Sequence, residues 1–144
     1  RFYELLKSEA GCTIQIDGGY PVDQSESLVE LLKMAAHNEE EEHKDVYPAF
    51  AKIAEEEGFS EAAYAFSQIA KIERIHGERF AKLAQMLQQE TYYEQEAGGE
   101  WMCLNCGYIF KGAKVPPVCP VCRHERGYFI PACMAPYLGF SNCN

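Results

Sequence analysis

The sequence is poor in basic residues. It has 13 Lys and Arg against 22 Asp and Glu among 144 residues, which gives a formal net charge of −9 at pH 7. Because binding to nucleic-acid phosphates depends on clustered Lys and Arg, this deficit argues against a nucleic-acid partner. The excess of negative charge suits a protein that holds cations.

Long apolar runs are also missing. No segment approaches the roughly 20 consecutive apolar residues that span a bilayer, and no signal-peptide pattern is present, so we expect no membrane partner. Hydrophobic residues make up 47% and charged residues 24%, which is typical of a globular chain. The first residue is Arg1 rather than Met, and we expect an N-terminal part of the protein to be absent from this chain.

The cysteines do not have the even number of a disulfide framework. Seven are present, and four of them form two CxxC pairs separated by twelve residues, Cys103, Cys106, Cys119 and Cys122. This spacing predicts one tetrahedral metal site and fits a reducing compartment. Such a site accepts zinc as a structural metal or a single iron as a redox centre, and the aromatic residues beside the first pair favour iron. We expect the remaining three to be free thiols without function: Cys12, Cys133 and Cys143.

Hydrophobic periodicity predicts two long helices joined by a tight turn. The first starts near Asp23 with a capping box and stops at Gly58, and Pro48 inside it should cause a slight kink. The second begins with Ser60 as its cap and ends near Glu90. Because the connection is short, the two helices should be antiparallel neighbours.

Composition divides the chain into three parts. Residues 1–24 are predicted to be the end of a bundle helix and a long connection, and residues 25–97 to be the antiparallel helix pair. After a linker at Ala97–Gly99, residues 98–144 should form a small domain with a C-terminal tail. Because so short a segment cannot bury enough apolar surface by itself, we expect a metal to stabilise it.

Four consecutive glutamates in the first helix divide into two kinds. At about 100° per residue, Glu39 lies within about 20° of the centre of the apolar face and Glu42 within about 50°, whereas Glu40 and Glu41 point toward water. The side chains that define this face are Leu28, Leu32, Ala35, Val46, Phe50 and Ile53. The second helix has Glu73 and His76 in the middle of its buried face.

These inward polar groups predict a metal site. An unpaired buried carboxylate costs several kcal/mol, and no Lys or Arg lies on either buried face to neutralise it. A Glu pair opposite Glu-x-x-His is half of the di-metal site of ferritin-like bundles, and these ligands suit iron or manganese. The predicted ligands are Glu39, Glu42, Glu73 and His76.

The alternative is a partly exposed helix pair with charged edges. Glu40 and His43 also have ligand spacing, but Glu40 points outward.

A complete site of this type uses four helices, and this chain predicts only two of them. Arg1–Leu5 partly repeats Arg79–Leu83, which follows His76 in the second helix. By this repeat, a partner Glu-x-x-His motif would precede Arg1. A separate N-terminal segment, a cleaved piece or a neighbouring subunit would then supply the missing helices.

With both sites in place, the chain resembles the rubrerythrin family. The resemblance extends from residue 1 to about 129. It rests on Glu39 and Glu42, on the segments 45–54, 56–59 and 69–76, and on both CxxC pairs. It implies a mainly α fold with a small metal-bound β domain. The helices would be half of a ferritin-like di-iron four-helix bundle, followed by a rubredoxin-like domain with one iron on four cysteines.

The resemblance also implies a function, which is reduction of hydrogen peroxide to water in the cytoplasm. Glu39, Glu73 and His76 would be di-iron ligands, Glu42 would bind or release iron with redox state, and Tyr47 would be a nearby donor. Electrons would arrive through the rubredoxin-type iron from rubredoxin or an NAD(P)H-dependent reductase. We expect a homo-oligomer, at least a dimer.

Two other functions stay open. A ferritin-like protein that oxidises and sequesters iron would use the same bundle, but it does not need an attached one-electron donor. A zinc-ribbon interaction module would hold zinc in the cysteine site beside a charged hairpin. Visible absorption separates these classes, because ferric tetrathiolate is red and the zinc form is colourless.

Overall fold

The computed structural model describes residues 2–6, 11–13 and 15–135 and divides into two compact units, residues 1–85 and 86–144. The helical elements are α1 (Phe2–Leu5), α2 (Leu28–Glu41), a π turn (Glu42–Val46), α3 (Tyr47–Glu56) and α4 (Ser60–Gln88). The strands are β1 (Glu94–Cys103), β2 (Ile109–Lys114) and β3 (Phe129–Pro131). This confirms a mainly α fold with a small β domain.

The domain boundaries predicted at 24/25 and 97/98 stay predictions. Arg1 and residues 136–144 of the predicted tail lie outside the described residues.

The first long helix begins at Leu28, so the predicted start near Asp23 is wrong. Ser27 has extended backbone, and its hydroxyl oxygen accepts a hydrogen bond from the Glu30 N–H. Ser27 is therefore the N-cap. Asp23 lies outside the helix, and its carboxylate accepts a hydrogen bond from the Asn38 side-chain amide at 2.7 Å.

A single π turn interrupts the helix that runs from Leu28 to Glu56. The N–H of Tyr47 bonds to the carbonyl of Glu42, five residues earlier. Pro48 follows directly and has no N–H to continue the regular α-helical pattern. Because a π turn adds one residue, every residue beyond it is rotated by about 100° relative to an uninterrupted α-helix.

The extra residue changes which side chains of α3 face α4. The helical wheel predicts Val46 and Ile53 on the inward face, but these side chains are 37% and 50% exposed. Instead, Tyr47 stacks on Phe66 with ring centroids 6.2 Å apart, and Ala54 is buried. Beyond the π turn, the face toward α4 therefore includes Tyr47, which the helical wheel does not place there, as well as Phe50 of the predicted face, whose ring lies 5.5 Å from that of Phe66.

The turn between the two long helices is a Schellman motif. Gly58 has φ +84°, its N–H bonds to the Glu55 carbonyl at 3.1 Å, and the Phe59 N–H bonds to the Ala54 carbonyl at 2.7 Å. This confirms the predicted stop at Gly58. Helix α4 then runs over Ser60–Gln88, within two residues of its predicted end. Within the described part of the chain, no helix combines the length and apolar character needed to cross a membrane.

Small residues recur every seven positions along helix α4: Ala63, Ala70, Gly77 and Ala84. The three alanines are buried. A Cβ added at Gly77 would lie 3.4 Å from the Ala36 carbonyl oxygen and 3.4 Å from the Glu39 Cβ. The missing side chain at Gly77 therefore allows the two helices to approach closely beside Glu39.

We expect Gly77→Leu to destabilise the hairpin by about 1–3 kcal/mol, because added methylenes in a close-packed interface force the helices apart. Gly77→Ala is the matched control. Its single methyl group fits at van der Waals distance and gains up to about 1 kcal/mol of helix propensity. Urea unfolding followed by far-UV circular dichroism measures both variants. Equal midpoints for the two would contradict a close approach at Gly77.

The second unit contains a three-stranded antiparallel sheet in the order β2-β1-β3. Trp101 on β1 pairs with Phe110 on β2 and with Pro131 on β3. Trp101 and Phe129 are fully buried and form a small core together with two of the cysteines. The sheet therefore places β1, with its first CxxC cysteine, at the centre of this unit.

The predicted linker at Ala97–Gly99 lies inside strand β1. The pairing of β1 with β2 shifts register between Glu94 and Gly99, and Gly98 has φ +78°. The strand pairing is therefore interrupted by a β-bulge or a similar irregularity, where glycine avoids the steric cost of a left-handed backbone. The interpretation of these glycines as a linker is wrong, because they bend a strand.

Candidate metal centres

Glu39, Glu73 and His76 lie together midway along the hairpin. One donor atom from each lies within 4.8 Å of the other two. The Nδ1 atom of His76 is 2.7 Å from a Glu73 oxygen and 3.7 Å from a Glu39 oxygen. The Glu73 and Glu39 side chains are mostly buried, 13% and 22% exposed. The structure thus brings together three of the four residues that the sequence predicts as hairpin ligands.

The spacing of the helices explains this cluster. Glu73 and His76 are three residues apart on α4, so their side chains lie one above the other on one face. The Glu39 side chain reaches Glu73 and His76 because the missing side chain at Gly77 allows the backbone of α2 at Glu39 to lie close to α4. The described ion-pair partner of both carboxylates is His76 rather than a Lys or Arg.

The electrostatics of the cluster favour a cation. Burial raises the pKa of Glu39, the neighbouring Glu73 raises it further, and His76 opposes this effect. Burial also raises the pKa of Glu42, again with a contribution from the Glu73 charge. A bound metal ion would replace the repulsion among these carboxylates by attraction and favour their ionised forms.

Glu42 lies beside this donor group without belonging to it. The charges of Glu73 and His76 are close enough to affect its pKa, yet its carboxylate is not among the three clustered donors. Tyr47 is also nearby, since its pKa is raised by burial and then by the charges of Glu42 and Glu73. The ligand role of Glu42 and the donor role of Tyr47 stay predictions.

The other two glutamates of the run lie on the outer surface. Glu40 forms an ion pair with Lys44, and Glu41 lies 3.6 Å from His37. The division into inward and outward glutamates therefore agrees with the helical wheel. Glu40 and His43 do not form a donor cluster in the described part of the chain, and His43 makes a different contact that its spacing does not predict.

The four cysteines of the CxxC pairs converge in the second unit. The Sγ atoms of Cys103 and Cys122 are 3.7 Å apart, and those of Cys106 and Cys119 are 3.8 Å apart. Sulfurs at the corners of a tetrahedron around a metal, with bonds near 2.3 Å, are separated by roughly 3.8 Å. The spacing therefore fits a single tetrathiolate-bound ion.

The two CxxC turns share one backbone geometry. In each turn, the residue after the second cysteine donates its N–H to the carbonyl of the first: Gly107 to Cys103 at 2.7 Å, and Arg123 to Cys119 at 3.0 Å. Both donors have left-handed backbone, with φ +77° at Gly107 and φ +66° at Arg123. This conformation closes each turn tightly, so that both pairs direct their sulfurs to one point.

Two sulfurs of this cluster have shifted pKa values. A backbone hydrogen bond from His124 lowers the pKa of Cys122 to about 5. The backbone bond from Tyr108 acts in the same direction on Cys106, but burial and the neighbouring sulfurs outweigh it and raise the pKa of Cys106 to about 12. A bound cation is what allows all four sulfurs to be thiolates together.

The remaining cysteines differ from one another. Cys12 is a free, exposed thiol. Cys133 is disulfide-bonded, so the expectation of a free thiol is wrong at that position. A disulfide requires two cysteines to approach within a narrow range of distances, and sequence spacing alone does not show this. Cys143 lies outside the described residues.

Known proteins match the chain over most of its length. Residues 14–84 match the rubrerythrin family model, and residues 101–130 match the model of the rubrerythrin rubredoxin-like domain. The rubrerythrin of Clostridium perfringens is 42% identical over 130 residues, 90% of this chain and 67% of that protein. The chain belongs to the rubrerythrin family. The rubrerythrin of Porphyromonas gingivalis is 40% identical over 131 residues, 91% of this chain and 64% of that protein.

The chain thus spans about two thirds of the length of these rubrerythrins. A solved structure of nigerythrin in a mixed-valence state aligns with a TM-score of 0.49 and 27% identity, over 90% of this chain and 60% of that one. Membership of the rubrerythrin family implies an oxidoreductase with a di-iron site and a rubredoxin-like iron site. The carboxylate–imidazole cluster and the tetrathiolate spacing fit these two cofactors.

Proposed function

We propose that this chain is part of a non-haem di-iron peroxide reductase that receives electrons through its rubredoxin-type iron. The observation that carries the proposal is that one chain holds both a carboxylate–imidazole donor cluster and a tetracysteine cluster. An iron-storage bundle has no need of an attached one-electron centre, and an interaction module has no need of buried carboxylates.

The reaction consumes two electrons and two protons for each hydrogen peroxide that becomes two waters. A bound di-iron centre supplies the two electrons. Glu39, Glu73 and His76 would hold the metal, and Glu42 would be the carboxylate that binds or releases it with redox state. Tyr47 is protonated at neutral pH, as an ordinary tyrosine is, and burial and the nearby carboxylates raise its pKa further. Its phenol can therefore hold a proton close to the reacting oxygens.

The remaining di-iron donors come from helices outside this hairpin. A bundle of this kind takes ligands from four helices, and the hairpin supplies two. Large apolar side chains of the hairpin stay exposed, among them Phe50 (48%) and Ile53 (50%) on α3 and Ile72 and Ile75 (47% each) on α4. Exposed patches of this kind are typical of interfaces. Helices from a separate N-terminal segment or a neighbouring subunit would cover them.

The partners and location follow from the family resemblance. We expect a homo-oligomer, at least a dimer, in which the rubredoxin-like domain of one subunit can serve the di-iron site of another. Rubredoxin or an NAD(P)H-dependent reductase would supply the electrons. The cytoplasmic location belongs to the same proposal.

The test is anaerobic oxidation of the fully reduced, iron-loaded protein. Hydrogen peroxide should restore the red ferric tetrathiolate colour rapidly, with two electrons consumed per peroxide, and molecular oxygen should do so more slowly. Rapid oxygen consumption with accumulation of mineral iron would instead favour a ferroxidase. A purified protein that is colourless and contains zinc in the cysteine site would favour the interaction module.

A further inference from the structure

One side-chain hydrogen bond crosses the hairpin next to the metal donors. The Nδ1 atom of His43 is 2.8 Å from the carbonyl oxygen of Ala70. Because a carbonyl oxygen can only accept, Nδ1 carries the proton and donates it. His43 follows Glu42 in the π turn, and Ala70 lies three residues before Glu73 on α4.

This bond and the Gly77 contact lie on opposite sides of the donor cluster along the hairpin. On one side, Gly77 lies against Ala36 without a hydrogen bond, and the close approach depends on the missing side chain. On the other side, His43 joins the π turn to Ala70 by a directional bond. The hairpin is therefore fixed both before and after the Glu39–Glu73–His76 cluster.

A side-chain hydrogen bond of this kind stabilises the π turn, whose own backbone hydrogen bonding is weak. Hydrogen bonds in π and 3₁₀ turns are less regular than those of an α-helix, and Pro48 cannot donate to the turn. A bond from the second residue of the turn to the neighbouring helix compensates for this. Glu42 begins the same turn, so the bond also restrains the backbone that carries this carboxylate.

Simpler roles do not account for His43. It is not one of the clustered donors in the described part of the chain. Its possible ligand partner Glu40 is already ion-paired with Lys44 on the outer surface. Its imidazole is partly buried against α4, so it is not an ordinary solvated histidine.

We propose that His43 is a positioning residue of the hairpin metal centre, an inference that rests on the proposed function. Its bond to the Ala70 carbonyl sets how closely the Glu42 carboxylate approaches Glu73 and His76. Hydrogen bonds that orient metal-binding groups typically change metal affinity by about 10–100-fold. Loss of this bond should therefore weaken metal binding in the hairpin and leave the tetracysteine site unchanged.

The test is titration of the full chain with Co²⁺, which reports the two sites separately. Cobalt in the carboxylate–imidazole site gives weak d–d absorption, and cobalt in the tetracysteine site gives intense thiolate-to-metal bands that serve as an internal control. His43→Leu removes the bond, and we expect the cobalt affinity of the hairpin site to fall about tenfold, with an altered d–d spectrum. His37→Leu makes the same change at a 67% exposed histidine of α2 and should match the wild type.

Two conservative variants separate positioning from general stability. In His43→Asn the amide nitrogen takes the place of Nδ1 and can still donate to Ala70, so its affinity should stay close to that of the wild type. In His43→Gln the amide lies farther out, near the position of Nε2, and binding should be as weak as in His43→Leu. This pair decides the question even if His43→Leu does not fold. Amide hydrogen exchange over residues 39–47 and 70–76 should quicken only in the Leu and Gln variants.

Equal cobalt affinity and spectra in the wild type, His43→Asn and His43→Gln would overturn the role of His43. The same holds if the Asn variant binds as weakly as the Gln variant. A wild-type chain that shows thiolate bands but no cobalt in the hairpin would also overturn the role of His43, because there would be no hairpin metal for it to position. The peroxide reaction of the iron-loaded protein tests the proposed function separately.

Discussion

Cys103→Ser is expected to remove the metal from the tetracysteine site and to unfold most of the second unit. The Cys103 side chain is fully buried in β1 and belongs to the same core as Trp101 and Phe129. A serine hydroxyl is a much poorer ligand than a thiolate for this type of ion. Metal binding contributes about 10–16 kcal/mol in small zinc-stabilised peptides, so losing one of four ligands should cost several kcal/mol. A unit with so small a core is not expected to survive that loss.

The measurement uses Trp101, the single tryptophan of the chain. Its side chain is 0% exposed, so its fluorescence reports the folding of the second unit alone. Cys12→Ser is the matched control, because Cys12 is a free, exposed thiol. We expect Cys103→Ser to lose one metal ion per chain and to shift the Trp101 emission to the red, and Cys12→Ser to do neither. Native emission with a full metal content in Cys103→Ser would exclude the four-cysteine assignment.

Glu73→Gln is expected to abolish metal binding in the hairpin and peroxide reduction, with a fall in activity of at least about 100-fold. The metal-free protein should nevertheless become more stable, by up to about 1 kcal/mol. Burial is the main cause of the raised pKa of Glu39 and of Glu42, and the Glu73 charge raises both further, so the ionised forms of these carboxylates disfavour one another. The neutral amide removes that repulsion and can still accept a hydrogen bond from His76.

Glu78→Gln is the control for this prediction. Glu78 is 63% exposed and pairs with Arg74 one helical turn earlier, and surface pairs of this kind contribute less than about 1 kcal/mol. Metal content, urea unfolding of the metal-free protein and peroxide turnover should therefore stay at wild-type levels in Glu78→Gln. If Glu73→Gln retained the hairpin metal, or if its metal-free form were clearly less stable than the wild type, the assignment of Glu73 as a ligand would be wrong.

The features that follow from local chemistry could be predicted from the sequence. Gly58 ends α3 because glycine adopts the left-handed backbone of a helix cap at little cost, and this preference is visible in the sequence. Two CxxC pairs at this separation are typical of metal-binding turns, and both turns close as expected. Glu73 and His76 share a face because α4 has no interruption between them. Glu39 lies before the π turn, so the helical wheel places it correctly.

The features that depend on distant contacts could not be predicted. A helical wheel assumes a constant rotation of about 100° per residue, and it does not predict the contact of Tyr47 with Phe66 because the π turn changes the phase of the helix immediately before Tyr47. Pro48 indicates an irregularity but not its type, since a kink and a π turn both accommodate it. Gly98 is equally ambiguous. A glycine with positive φ serves a linker and a β-bulge alike, and only the pairing of β1 with β2 distinguishes them.

The π turn also determines what kind of genetic change this helix can accept. A substitution between Glu42 and Val46 leaves the number of residues unchanged, so Tyr47 and Ala54 keep their places against α4. Deletion of one residue there would restore a regular helix and turn everything downstream by about 100°, carrying the aromatic contacts away from the carboxylates. Across related chains, the length of this segment should therefore be kept whichever side chains occupy the positions of Lys44, Asp45 and Val46.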